Sequence, residues 1–133
     1  MTIERPLIYL VDDTENAMKL AYDLIQMAIP TADIRKAGNG LEALMLLEEQ
    51  LPDLLITDKD MPILDGIGLI KEAREKYKGP IILASANDIH DMRKSVEQTV
   101  GVDSLITCLE KPYDIKTFRE LVLNSLGIKP KSP

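Results

Sequence analysis

The sequence predicts an α/β domain in which a parallel sheet is covered by helices on both faces. Four short apolar runs and one weaker strand candidate, 32–36, alternate with five helix-length segments along 133 residues. The runs are apolar at successive positions, as in strands buried on both faces, and the segments between them are long enough for parallel crossovers. Because such sheets bind ligands beyond the carboxyl ends of their strands, a functional site is expected there.

The first half of the chain contains three expected strands and two expected helices. Thr14 or Asp13 can cap the first helix, in which Met18, Ala21, Tyr22 and Ile25 recur at helical spacing, and Pro30 ends it. Asn39-Gly40 forms a turn before the second helix, where Leu41, Leu44 and Met45 share one face. The expected strands are Leu7–Val11, 32–36 and 54–57, and the expected helices are Glu15–Ala28 and 41–50.

The second half continues the alternation. A loop containing Pro62 and Gly66 follows the third strand, and Gly79-Pro80 separates the third helix from the fourth strand. The expected helices are 67–77, 89–99 and 115–126, and the expected strands are 81–84 and a segment within 105–109. The last residues, GIKPKSP, have the composition of a linker or frayed end.

The composition is that of an ordinary globular domain with an acidic balance. A net charge of −6 argues against nucleic-acid binding by this segment, which would need clustered Lys and Arg. Cys108 is the single cysteine, so no internal disulfide forms. With no signal-peptide pattern and no apolar run near about 20 residues, we expect a soluble cytoplasmic protein without membrane contact.

Polar side chains follow the strands at their carboxyl ends. They are Asp12 and Asp13 after the first strand, Asp58 after the third, Ser85 after the fourth and Lys111 after the fifth. Three carboxylates on one rim repel each other unless a cation joins them, and hard oxygen ligands favour Mg²⁺ over zinc. A single aspartate in such a place often caps a helix or begins a turn, but this explanation fits the whole set poorly.

These residues carry a resemblance to the response-regulator receiver domains of two-component signalling. The matching segments are LVDDT with Asp12-Asp13, LLITDKDMPILDG with Asp58, ILASA with Ser85 and LEKPY with Lys111-Pro112. The similarity extends over about residues 5–126. It implies a flavodoxin-like (βα)5 fold, a doubly wound three-layer sandwich with strand order 2-1-3-4-5, and it divides the chain into a receiver domain at 1–126 and a tail at 127–133.

The resemblance also implies a role for each site residue. Asp58 would be the phosphoacceptor, with Mg²⁺ held by the carboxylates of Asp12, Asp13 and Asp58 and by the backbone carbonyl of Asp60. Ser85 and Lys111 would bind the phosphoryl oxygens, and the Lys111–Pro112 peptide would be cis. Apart from its own phosphotransfer and autodephosphorylation the domain would not be an enzyme, and Pro62, Asp65 and Gly66 would only shape the loop.

The partners implied by the resemblance are proteins. A histidine kinase or histidine phosphotransfer protein would donate the phosphoryl group, docking near Thr14, Glu15 and Met18. A downstream protein or output domain would respond, and a phosphorylation-dependent homodimer is compatible with the family. Whether the chain acts alone or within a longer protein is left open.

The sequence departs from the family pattern at three places. Cys108 occupies the position where most receivers carry Tyr or Phe. The usual coupling, in which that ring turns inward when the hydroxyl partner moves, is therefore in doubt. The thiol itself is interpreted as an inert part of the core rather than as a redox sensor. The passage into the fifth strand, GVDSLITCLEKP, is longer by about three residues than is usual in the family. Asp60 is acidic, and its side chain is expected either to point to solvent or to reach the metal or the attacking water.

Three other functions are compatible with parts of the sequence. Asp58-Lys59-Asp60 fits the D-x-D start of haloacid-dehalogenase-type phosphatases, but Pro62 stands where those enzymes have Thr or Val. A binding module without phosphorylation would not need the complete set of Asp, Ser and Lys. A flavodoxin-like carrier would need phosphate donors, whereas the loop after the first strand is acidic.

Overall fold

A computed structural model describes residues 4–129 as five strands that alternate with five helices. The strands are β1 (Leu7–Val11), β2 (Asp33–Ala37), β3 (Leu54–Asp58), β4 (Ile81–Ser85) and β5 (Ile106–Glu110). The helices are α1 (Glu15–Ala28), α2 (Gly40–Glu49), α3 (Gly66–Ala73), α4 (Ile89–Val100) and α5 (Ile115–Ser125). The alternation is as predicted, while residues 130–133 of the proposed tail lie outside the described residues.

The five strands form one parallel sheet in the order β2-β1-β3-β4-β5. β1 pairs with β2 on one side and with β3 on the other, so the winding direction reverses between these two pairings. The flavodoxin-like order is therefore confirmed. The reversal opens a crevice beyond the carboxyl ends of β1 and β3, where Asp12 and Asp58 lie.

Alternate residues of the strands face two different helical layers. Tyr9 and Val11 of β1 pack in the cluster that includes α2, α3 and α4, whereas Ile8 and Leu10 pack in the cluster that includes α1 and α5. All five residues of β1 are buried. The apolar runs of β1, β3 and β4 thus correspond to strands covered on both faces, while the edge strands β2 and β5 are only partly buried, and the three-layer prediction is confirmed.

The third helix ends earlier than predicted. The expected bounds differ from the observed ones by no more than one residue elsewhere, but α3 ends at Ala73 rather than at 77. The amide of Lys76 donates to the carbonyl of Ala73, a bond three residues back that tightens the last turn. Tyr77 is buried and its hydroxyl donates to the carbonyl of Pro80, so the chain turns into the core before β4.

Helix α2 buries a different face from the one the apolar residues suggested. Its buried positions are Gly40, Ala43 and Leu47, while Leu41 and Met45 are 51% and 65% exposed. A Cβ at residue 40 would lie 2.6 Å from a backbone oxygen of the loop after β3, so the helix packs closely through its small residues. Of the apolar face named from the sequence, Leu41 and Met45 consequently remain on the surface, while Leu44 is partly buried against the core.

The loop between α4 and β5 is anchored by an ion pair. Asp103 lies in this loop, and its carboxylate accepts hydrogen bonds from the guanidinium of Arg74 at 2.8 and 3.3 Å. Arg74 also donates to the carbonyl oxygens of Tyr77 and Gly79. The passage that the sequence marked as long is therefore tied to the end of α3. Within residues 4–129 no helix is long and apolar enough to cross a membrane.

Candidate functional site

The strand-end residues predicted from the sequence meet at the carboxyl edge of the sheet. Asp12 follows β1, Asp58 and Ser85 are the last residues of β3 and β4, and Lys111 follows β5. The amide of Lys111 donates to the carbonyl of Ser85 at 2.7 Å, and that of Asp12 to the carbonyl of Ala37 at 3.1 Å. Sheet hydrogen bonding therefore continues into the site and holds its backbone in place.

Three carboxylates form the centre of the site. One oxygen each of Asp12, Asp13 and Asp58 lies within 4.8 Å of the others. This set of hard oxygen donors, one of them exposed and open to water, fits Mg²⁺. A zinc site is not formed by the described residues here, since Cys108 lies in the buried core and His90 is exposed on α4.

Thr14 does not cap α1 through its side chain as the sequence suggested. It occupies the N-cap position with extended backbone, but its own amide donates to the carboxylate of Asp12 at 2.9 Å. Asp12 thus also has the structural role that a single aspartate at a strand end often has, because it orders the turn into α1. This bond fixes the orientation of a carboxylate that faces the other two.

Lys111 brings a positive charge to the carboxylates. Its ammonium lies 2.9 Å from Oδ1 of Asp58 and 3.7 Å from Oδ2 of Asp12. The Lys111–Pro112 peptide is cis, as the resemblance implied. The ion pair between Lys111 and Asp58 joins the residue after the last strand of the sheet to the aspartate at the end of the central strand β3. The ammonium consequently offsets part of the repulsion among the carboxylates.

The protonation states of Asp58 and Lys111 depend on their burial and on their contact with each other. Burial raises the pKa of the Asp58 carboxyl, and the hydrogen bond and charge of Lys111 oppose that rise. Burial alone would lower the pKa of Lys111, but its hydrogen bond to Asp58 and the charges of Asp58 and Asp12 raise it overall. Lys111 therefore stays protonated beside an aspartate that is only partly solvated.

Ser85 is directed to a neighbouring polar cluster rather than to Asp58. Its hydroxyl lies 2.8 Å from Oδ1 of Asn87 and 3.2 Å from Oδ2 of Asp60, and the amide of Asn87 donates to it at 3.1 Å. A hydroxyl has one proton to donate, so these two acceptors compete for it. Ser85 must turn away from them before it can donate to another group.

Lys59 and Asn87 belong to this cluster and were missed by the sequence argument. The ammonium of Lys59 lies 3.2 Å from Oδ1 of Asn87 and 3.4 Å from Oδ1 of Asp60. The available signal was their position: Lys59 is the first residue after β3 and Asn87 the second after β4. The Asp60 side chain is 68% exposed, in agreement with the expected orientation toward solvent, and its carboxylate also contacts Lys59 and Ser85.

The loop after Asp58 has little room for change. A Cβ at residue 66 would lie 2.4 Å from the carbonyl oxygen of Asp58, which only glycine avoids. Asp65 caps α3 by accepting a hydrogen bond from the amide of Gly68 at 2.8 Å. Ile63 has a φ of 73°, a costly conformation for a β-branched residue. The loop is thus tightly constrained beside the carboxylate that it follows.

Cys108 lies in the core on the side of α4. It is 6% exposed and burial raises the pKa of its thiol, so the inert thiol expected from the sequence agrees with its environment. Tyr113, beyond Lys111, stacks on Phe118 with ring centroids 4.9 Å apart. No aromatic side chain therefore stands in β5 between α4 and the site.

The sequence and the fold are similar to those of known proteins. Residues 8–123 match the response regulator receiver domain. The chain is 35% identical to the chemotaxis protein CheY of Halobacterium salinarum, over 80% of this chain and 84% of that protein. It is 33% identical to a protein-glutamate methylesterase/protein-glutamine glutaminase of Syntrophomonas wolfei, over 93% of this chain and 36% of that protein. The structure of CheY4 of Vibrio cholerae superposes with a TM-score of 0.80 at 22% identity, covering 92% of this chain and 99% of the other.

The coverage of these relatives differs widely. The chain spans most of the length of CheY of Halobacterium salinarum and about a third of the length of the methylesterase. The activity in the methylesterase's name is that of a protein much longer than this chain, so it says nothing of the residues described here.

Proposed function

The chain belongs to the response regulator receiver domain family, and from this membership we propose that Asp58 accepts a phosphoryl group from a phosphohistidine and thereby switches a partner. The observation that carries the proposal is the contact of 2.9 Å between Lys111 and Asp58 beside two further carboxylates. A nucleophilic carboxylate, a fixed ammonium and a set of cation ligands are together what phosphoryl transfer to aspartate requires.

In the proposed reaction an oxygen of Asp58 forms a bond to phosphorus while the phosphorus–nitrogen bond of the phosphohistidine breaks. The histidine nitrogen leaves, and an aspartyl phosphate remains. Lys111 moves its hydrogen bond from Asp58 to a phosphoryl oxygen, and Ser85 leaves Asn87 and Asp60 to donate to another. Most of the catalytic effect is therefore positioning and charge neutralisation by side chains already at the strand ends.

Asp12, Asp13 and Asp58 would hold Mg²⁺, together with the backbone carbonyl of Asp60. When bound, Mg²⁺ would supply positive charge to the oxygens of the transferring group and lower the repulsion among the carboxylates. The support is the oxygen cluster within 4.8 Å. The contribution of the Asp60 carbonyl remains a prediction.

The phosphoryl donor would dock beside α1. A hollow of about 350 Å³ borders Lys111, and its wall is largely apolar. Leu20 on α1 is 54% exposed at this place. The hollow is lined by Ala17, Leu20, Ala86, Lys111, Pro112 and Tyr113. A helix of a histidine kinase or phosphotransfer protein would cover these residues and bring its phosphohistidine to Asp58, in a cytoplasmic setting.

The signal would leave the site through the segment after β4. With Cys108 in β5, the movement of Ser85 is transmitted by the backbone from Ala86 onward and by α4. We expect the amide shifts of residues 89–109 to change on phosphorylation. Identical shifts in the two forms would contradict this route, while leaving the phosphorylation of Asp58 itself intact.

The proposed chemistry is tested by incubating the protein with Mg²⁺ and acetyl phosphate and measuring its intact mass. We expect addition of one phosphoryl group to the parent and none to Asp58→Asn. Full modification of Asp58→Asn would overturn the site assignment. Sustained turnover of p-nitrophenyl phosphate, in place of stoichiometric labelling, would instead favour a phosphatase.

A further inference from the structure

A groove between α2 and α3 lies outside the site described above. It has a volume of about 360 Å³. Leu41, Leu44 and Met45 of α2 form one wall, and Ala73 of α3 contributes to the other. Since Leu41 and Met45 are 51% and 65% exposed, two large apolar side chains one helical turn apart face water. Such a stripe on a surface helix is typical of a docking face.

The groove is bordered by acidic side chains. Glu48, Glu72 and Glu75 line it together with one basic residue, Lys76. The ammonium of Lys76 is already paired with Glu48. Neither Glu72 nor Glu75 forms an ion pair with any other residue in the part of the chain that the structure describes. The groove therefore combines an apolar floor, formed by the apolar side chains of its walls, with a negative rim at Glu72 and Glu75 that no cation neutralises within the described residues.

The groove is also held in a defined shape. Leu64 lies between the first turns of the two helices: a Cβ at Gly40 would be 2.6 Å from its carbonyl oxygen, and one at Gly68 would be 2.6 Å from its Cδ1. The amide of Gly40 donates to the same carbonyl at 3.3 Å. Leu64 therefore packs between the first turns of α2 and α3 beside the groove.

We propose that the α2–α3 groove binds a basic amphipathic helix of a partner protein. Leucine or methionine side chains of that helix would cover Leu41 and Met45, and its lysine or arginine side chains would face Glu72 and Glu75. An acidic rim around an apolar floor selects for this chemistry, because an acidic helix would be repelled and a neutral one would leave the rim unpaired. The inference concerns a second surface and is independent of phosphorylation at Asp58.

The test is an NMR titration of the full chain with a synthetic 18-residue amphipathic helix of leucine and lysine, blocked at both ends. Saturable shifts are expected at the methyl groups of Leu41, Leu44, Met45 and Ala73. Met45→Glu should weaken binding at least tenfold. The matched control is Met27→Glu on α1, where the parent side chain is 78% exposed, and it should leave the affinity unchanged. Glu72→Gln combined with Glu75→Gln should weaken binding and reduce its dependence on salt.

Four results would overturn the proposal. The first is a set of shifts centred away from α2 and α3, and the second is an equal effect of the Met45 and Met27 substitutions. The third is equal binding of the same helix with glutamate in place of lysine, which would show that the rim has no selective role. The fourth is a dimer in sedimentation that Met45→Glu dissociates, which would make a second copy of the chain the occupant.

Discussion

Replacement of Arg74 by methionine removes a cation that ties the loop between α4 and β5 to the connection between α3 and β4, at the edge of the sheet away from the aspartate site. The guanidinium donates to the Asp103 carboxylate at 2.8 and 3.3 Å and to the carbonyl oxygens of Tyr77 and Gly79 at 2.9 and 2.7 Å. Methionine keeps an apolar stem of similar length but satisfies none of these acceptors. The substitution therefore tests the anchor of the loop between α4 and β5.

The expected loss follows from burial and bond number. The Arg74 side chain is 11% exposed and that of Asp103 is 24% exposed, so water can reach the carboxylate but hardly the space left by the guanidinium. At roughly 0.5–1.5 kcal/mol for each lost bond, the free energy of unfolding should fall by about 3 kcal/mol. This is at the lower end of the range for breaking a buried pair, because Asp103 is partly rehydrated. The melting temperature should fall by about 10 °C.

The difference should depend on pH. The hydrogen bond from Arg74 lowers the pKa of Asp103, so the folded value lies below the unfolded value of about 3.9. The stabilisation is complete above the unfolded pKa and is lost as the pH falls through the folded pKa. We therefore expect the gap between parent and Arg74→Met to be constant near neutral pH and to shrink below about pH 4.

Urea unfolding followed by circular dichroism measures this gap, with Arg119→Met, at an exposed position on α5, as the control. A difference below about 1 kcal/mol at pH 7, within the range of an ordinary surface pair, would refute the reasoning. So would a gap of the same size at pH 7 and pH 3.5.

The site and its surroundings allow three further predictions. Asp60→Asn should speed phosphorylation by acetyl phosphate about threefold, since it removes a mostly exposed carboxylate that repels the incoming anion. An unchanged or slower rate of phosphorylation, measured as a time course of intact mass, would contradict this. Gly66→Ala should lower the free energy of unfolding by about 2–3 kcal/mol, because its Cβ would press on the Asp58 carbonyl. Gly38→Ala, whose Cβ would make only ordinary contacts, is the control, and equal losses in the two variants would count against the packing argument. The Cys108 thiol is buried and its pKa is raised, so it should react slowly with a disulfide reagent. At pH 7.5 we expect the reaction to be at least about a hundredfold slower in the native than in the urea-unfolded protein. Comparable rates would show that β5 opens readily.

Much of the candidate site could be predicted because its residues are neighbours of strands. In a parallel sheet all carboxyl ends lie at one edge, so a residue that ends an apolar run is placed by the run itself. Asp12, Asp58 and Lys111 came together for this reason, without knowledge of any side-chain conformation. The contact between Lys111 and Asp58 needed only the order of the strands, which the family resemblance supplied.

The partners of Ser85 could not be predicted in the same way. Its hydroxyl is directed to Asn87 and Asp60, and the second of these belongs to the loop after a different strand. The choice between such acceptors depends on distances of a few tenths of an ångström and on the competing ammonium of Lys59. These are properties of the assembled loops, so no local pattern contains them.

Apolar periodicity by itself determined the number, order and type of the elements and the edge of the sheet where the charged residues gather. Only the tertiary structure decided which face of α2 is buried, whereas Ala21 and Ile25 of α1 are buried as their spacing indicated. In α2 the loop after β3 approaches Gly40 closely. Gly40, Ala43 and Leu47 are buried and Leu41 and Met45 are exposed, against the simple rule that large apolar residues are buried. Periodicity reports that a helix has an apolar stripe, whereas the width of the space between neighbouring elements determines which side chains fit into it.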